Sequence, residues 1–124
     1  MHNVRNLQIW KDAMDLAQAV YEITEHIPMK ETYGLISQMT RAAVSVPSNS
    51  AEGSSRSDKD FAHFLSIALG SLFELNTQII LSERIGYIDN KQSLTLQEKA
   101  DKLQMMISGF KRRLEKDGNE PIIQ

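Results

Sequence analysis

One spacing recurs four times in this chain and limits what it can fold into. Ile9, Ala13, Leu16, Val20, Ile23 and Ile27 follow one another at intervals of four and three residues. Leu35, Met39, Ala42 and Val46 repeat the rhythm, with Ile36 and Ala43 as a second row. Phe61, Leu65, Ala68, Leu72, Leu75 and Ile79 carry it again, then Leu96, Ala100, Leu103, Ile107, Phe110 and Leu114. This is the period that lines one face of an α-helix. No stretch of useful length shows the apolar–polar alternation of a strand. The spacing therefore predicts a single all-α domain over residues 1–124, with helices at about 7–27, 31–53, 58–85 and 90–116. Short connections between them predict an antiparallel up-down-up-down four-helix bundle.

Local chemistry punctuates the pattern. Pro28 restricts the residue before it and ends the first helix. Gly53 stands where a C-terminal cap of the second helix is expected. Ser57 with Asp60, and Asp89 with Gln92, have the spacing of capping boxes. Gly86 is a stop for the third helix, with Tyr87 and Ile88 closing over its end. Gly118 and Pro121 close the fourth, and residues 117–124 are expected to fray.

The stretch RAAVSVPSNSAEG, Arg41 to Gly53, places a proline inside a helical pattern. An interior proline removes a hydrogen bond and clashes with the preceding turn, at about 3 kcal/mol. The expectation is a second helix that continues through Pro47 with a kink, Ser45 or Ser48 helping to satisfy the freed backbone groups. Pro47, Asn49, Glu52 and Gly53 then make up a structural motif, with Arg41, Arg56 and Lys59 placed to pair with Glu52.

The third helix is apolar beyond its core stripe, through Phe64, Ile67, Leu69, Phe73 and Ile80. A helix apolar nearly all round is buried on more than one side. A second copy of the chain is the simplest cover, and Gly70 and Ser71 allow its backbone to come close. The chain is therefore expected to be a homo-oligomer, with Phe64, Ile67, Gly70, Ser71 and Phe73 at the interface. The same segment, Phe61 to Ile88, is interrupted by Glu74, Asn76, Gln78, Glu83 and Arg84, so no membrane span is expected.

The chain has no cysteine, which excludes disulfide frameworks and thiolate metal sites and fits a reducing, cytoplasmic setting. MHNVRNLQIW has no apolar signal-peptide core. Catalytic constellations are absent from the pattern. Ser45, Ser48 and Ser50 show no base at a telling spacing, and His2, His26 and His63 show no paired carboxylate or second histidine. The Glu-x-x-His motif of di-metal bundles is missing, as is a glycine-rich phosphate loop. The expectation is no enzyme, no cofactor and no metal.

Cations remain. Arg41, Arg56 and Lys59 flank the proline turn, and Lys111, Arg112, Arg113 and Lys116 crowd the last helix. These are the candidate nucleic-acid contacts, with Trp10, Tyr21 and Tyr33 the candidate stacking aromatics. A formal net charge of −2 argues against a generic polyanion binder. An acidic first helix (Asp12, Asp15, Glu22, Glu25) facing a basic last one also reads as ordinary complementarity within a bundle.

The runs LQIWKDAMDLAQAVYEIT, YGLISQMTRAAVSVPSNSAEG and DFAHFLSIALGSLFELNTQIILSERIGYI resemble the four-helix-bundle family of 23S rRNA intervening-sequence proteins, from Leu7 to about Leu114. Arg41 to Pro47 with Asn49 and Ala51-Glu52-Gly53 is the most specific part, and Ile67 to Ser71 with Glu74 is a second match. The resemblance implies a small cytoplasmic bacterial bundle without enzymatic activity. It also implies likeness in fold to the accessory variability protein of diversity-generating retroelements, a pentameric barrel that binds a reverse transcriptase and nucleic acid. On that basis the expected partners are further copies of the chain, a pentamer being favoured, and RNA or a nucleic-acid-handling protein. A protein-interaction module without nucleic acid is the alternative. The chain departs from the family pattern at Ser50, where a larger apolar residue is usual and looser packing is expected. Its acidic balance is a second departure.

Overall fold

The four apolar stripes meet in one core. The computed structural model describes residues 1–119. Its long helices are α1, Gln8–Thr24, α2, Leu35–Ser54, α3, Asp58–Ile85, and α4, Asn90–Asn119, and no strand occurs among the described residues. Contacts run from α1 to α2, α2 to α3, α3 to α4 and α4 back to α1. The helices thus stand at the corners of a four-helix bundle, each touching its two neighbours. Leu16, Val20, Met39, Val46, Phe61, Leu65, Leu72, Ile79, Leu103 and Ile107 are fully or almost fully buried between them. Large-to-small changes at such positions remove both transfer free energy and packing contacts.

The boundaries on either side of the α1–α2 connection move. α1 stops at Thr24, before Pro28, because the chain tightens into i→i+3 bonds: Glu25 N–H to Glu22 O, His26 N–H to Ile23 O and Ile27 N–H to Thr24 O. Thr24 Oγ1 also donates to Tyr21 O at 2.7 Å, a side-chain bond that competes with the helical ladder. Ile27 leaves the helix yet is still buried. Before α2, Met29–Glu31 forms a separate 3₁₀ turn and Gly34 is the N-cap, so the helix starts at Leu35 and not near residue 31.

Gly53 is not a C-terminal cap. α2 runs through it to Ser54, and Gly86 is the one glycine with positive φ among the described residues, at 92°. Gly53 is needed for close approach instead. A Cβ there would lie 2.6 Å from Phe61 Cδ1 and 3.2 Å from Phe61 Cα. Gly86 is the left-handed stop of α3, with Gly86 N–H bonded to Glu83 O and Tyr87 N–H to Ser82 O, the Schellman pattern. The capping box of α4 is complete: Gln92 N–H donates to Asp89 Oδ1 at 2.7 Å, and Asp89 N–H to Gln92 Oε1 at 2.9 Å. Ser57 caps α3 through Asp60 N–H at 3.3 Å. α4 continues past residue 116 to Asn119, since one glycine in a helix costs only about 1 kcal/mol and does not by itself end it. The expected stop at Pro121 and the rest of the tail lie outside the described residues.

Contrary to the expectation from its interrupting polar residues, α3 has the length and apolarity of a membrane-crossing helix. One face of it, from Phe61 to Ile79, fills the core. The other is left bare by the chain: Ile67, Phe73, Ile80, Leu81 and Ile85 are each at least 40% exposed.

Candidate nucleic-acid interface

Three parts of the chain converge at one end of the bundle. Phe61, on the first turns of α3, packs against Phe110 of α4 with ring centroids 5.3 Å apart. His2 closes over both rings, at 5.3 Å from Phe61 and 5.8 Å from Phe110. Its backbone N–H donates to Ser54 O at 2.9 Å, and its Nε2 lies 3.3 Å from Asp58 Oδ1. His2 is therefore paired with a carboxylate after all. The separation of 56 residues hid the pair from any reading of local spacing. Its surroundings are two phenyl rings and a helix end, and its role is to anchor the first residues across the bundle end.

This convergence gathers six of the seven candidate cations. Arg56, at the end of α2, and Lys59, on the first turn of α3, sit at the same end as Lys111, Arg112, Arg113 and Lys116. Arg56 Nη2 donates to Glu52 Oε1 at 2.6 Å, and its guanidinium lies 5.2 Å from the centre of the Phe64 ring. The hydrogen bond and charge of Glu52 raise the Arg56 pKa. The pair is half exposed, so it is weak and salt-screened and leaves the guanidinium accessible. Lys111 pairs with Glu115 one turn on. Arg113 lies over the Phe110 ring at 5.5 Å. Lys59, Arg112 and Lys116 are exposed. Asp58 and Asp60 in the first turn of α3 temper the patch.

Arg41 stands apart. It lies 15 residues before Arg56 on α2, about 22 Å by the helical rise. It lines a groove between α2 and α3 with Gln38, Ser45, Ser71 and Glu74. Arg56, and neither Arg41 nor Lys59, takes the Glu52 carboxylate.

The proline stretch is braced by residues other than those expected. α2 runs unbroken through Pro47. Asn49 Nδ2 donates to Ser45 O at 2.8 Å and to Ser45 Oγ at 2.9 Å, and Ser50 Oγ donates to Val46 O at 2.8 Å. Ser50 is fully buried with its hydroxyl satisfied by the backbone one turn back. Ser45 uses its hydroxyl across helices, accepting from Ser71 Oγ at 2.8 Å. Pro47 is buried under an apolar groove of about 460 Å³ between α1 and α2, lined by Trp10, Met14, Tyr21 and Val44. Two of the three candidate stacking aromatics, Trp10 and Tyr21, thus line this groove, while Tyr33 is 98% exposed.

The candidate assembly residues divide. Ile67 and Phe73 are exposed, and Gly70 has open space on its outer side. Ser71 is engaged with Ser45. Phe64 is half-buried, with Gly53 on one side and Arg56 on another. Elsewhere, Asp12 and Asp15 of α1 share a groove with Lys99 and Lys102 of α4, the complementarity expected of acidic and basic helices. Among the described residues, no three histidine, aspartate or glutamate side chains are grouped to hold a metal ion.

An all-α four-helix bundle with a cluster of cations at one end and a proline-containing second helix defines the class of protein. The chain belongs to the 23S rRNA-intervening sequence protein family, whose pattern matches residues 5–109. A crystal structure of a protein of unknown function from the S23 ribosomal protein family of Bacteroides thetaiotaomicron has the same fold. The TM-score is 0.78 at 18% identity, covering 84% of this chain and 98% of that one. No relative is found among curated proteins.

Proposed function

We propose that this chain is a non-enzymatic, self-assembling helical scaffold of the cytoplasm that binds structured RNA through the basic end of the bundle. The observation that carries this reading is the gathering of Arg56, Lys59 and the Lys111–Lys116 cluster around the Phe61–Phe110 contact. Cations scattered over 61 positions of sequence are brought to one end of the bundle there. Arg56 and Arg113 rest on aromatic rings and are exposed to solvent, a geometry suited to phosphate. We read the bundle as antiparallel, up-down-up-down, with α2 bent at Pro47.

Self-assembly follows from two uncovered apolar surfaces on different faces. One is the outer side of α3, with Ile67, Gly70 and Phe73. The other is the α1–α2 groove over Pro47. Two unlike surfaces make a head-to-tail contact, and such contacts close into rings when the rotation permits. Five copies is the order favoured by the family resemblance. A ring repeats each basic end, so weak phosphate contacts add through avidity.

The test is binding of the purified assembly to structured RNA across a salt series. Phosphate contacts make affinity fall steeply as salt rises. Changing Lys111, Arg112 and Arg113 together to glutamine is expected to flatten that slope. Absence of binding at low salt would sink the RNA reading in favour of a module that binds protein only, for which the formal net charge of −2 is the supporting feature.

A further inference from the structure

Two charged side chains in the middle of the molecule take no part in the basic end. Arg41 of α2 and Glu74 of α3 face one groove of about 530 Å³. Neither belongs to an ion pair among the described residues. The groove has an organised floor. Ser71 Oγ donates to Ser45 Oγ at 2.8 Å, and Asn49 holds Ser45 from behind at 2.9 Å. Gln78 is buried and donates Nε2 to Glu74 Oε1 at 3.2 Å. Its own Oε1 is left buried without a donor. Glu74 Oε2 takes no hydrogen bond from the described residues, and Glu74 lines the groove together with Arg41.

A carboxylate and a guanidinium on one groove demand a ligand with paired donors beside paired acceptors. Phosphate alone fits poorly, because Glu74 repels it. Among the nucleobases, guanine has this arrangement: N1–H and N2–H on its Watson–Crick edge, O6 and N7 on the adjoining one. Cytosine and uracil set a ring acceptor or a carbonyl beside the donor a carboxylate would take, and adenine offers a single exocyclic amine.

We propose that the α2–α3 groove is a guanine-binding subsite, in which Glu74 accepts from N1–H and N2–H and Arg41 donates to O6 and N7 of an unpaired guanine. This rests on the RNA reading above, with the basic end holding the backbone about 22 Å away along α2 while the groove reads one base. Both side chains are exposed, so conservative changes leave the fold intact, which circular dichroism checks.

The experiment compares oligoribonucleotides carrying one unpaired guanine, inosine or adenine in the same loop, across a salt series, with GMP as competitor. Inosine lacks the N2 amine. The expected result is at least about fivefold preference for guanine over inosine, the loss of one hydrogen bond to a charged acceptor. Glu74→Gln is expected to abolish that preference while leaving the salt slope unchanged, and Arg41→Lys to reduce it. Equal binding of all three RNAs would overturn the subsite and leave the scaffold reading standing. GMP binding as tightly as the RNA would overturn it as an RNA subsite. No RNA binding at any salt would overturn both.

Discussion

Gly53 and Phe61 pass so close that a Cβ on the glycine would lie 2.6 Å from a ring carbon and 3.2 Å from the Phe61 Cα. The second of these atoms is backbone and cannot swing aside. Gly53→Ala gains about 1 kcal/mol of helix propensity but must push α2 and α3 apart, at about 1–3 kcal/mol. The expected outcome is a net loss of up to about 2 kcal/mol, read as a lower urea midpoint with unchanged slope. An unchanged or raised midpoint would show that the crossing yields more easily than its geometry implies.

Gly70 presents the opposite case. It sits on the exposed side of α3 and a Cβ there meets nothing within 4 Å. Gly70→Ala should stabilise the folded chain by about 1 kcal/mol through helix propensity alone. If a second copy packs its backbone against this spot, the same change weakens assembly, seen as a shift to smaller species in sedimentation at fixed concentration. Greater stability with unaltered assembly would remove Gly70 from the interface.

Glu83 links the end of α3 to the start of α4. Asn90 Nδ2 donates to Glu83 Oε2 at 3.0 Å, and this bond, with a second from Ser93, lowers the carboxyl pKa below its ordinary 4.5. A lowered folded-state pKa contributes stability that is present above the unfolded pKa and lost as pH falls through the folded value. Wild type is therefore expected to exceed Glu83→Gln in unfolding midpoint at neutral pH. The difference should shrink as pH drops below about 4.5. A difference that persists undiminished to strongly acid pH would mean the charge plays no part.

Pro47 is buried beneath the α1–α2 groove, and α2 is helical on both sides of it. Pro47→Ala restores an N–H to the helical ladder and is expected to keep the helix content. It should alter assembly, because the path of α2 shapes the groove that a neighbouring copy would occupy. Unchanged assembly together with unchanged stability would refute the idea that the proline sets the helix path.

Much of this molecule was legible from residues a turn apart. The apolar rhythm marked the core, from Leu16 and Val20 to Leu103 and Ile107. The Asp89–Gln92 box and the Gly86 stop followed from identity and spacing, because caps are closed by groups three to five residues distant. Where local signals conflicted, the reading slipped: Gly53 has the position of a cap, but the closeness of Phe61 decides its role. The candidate site was legible only as separate pieces. Nothing in the order of residues places His2 between Phe61 and Phe110, or Ser71 against Ser45, or Arg41 across a groove from Glu74. Those pairings depend on how far each helix slides and turns against its neighbour, which side-chain packing across the whole core determines. The sequence by itself determined the helices and their inward faces, since these are set by interactions within one or two turns. Only the tertiary structure decided which outward side chains meet, and with them the basic end, the bare face of α3 and the groove beside it.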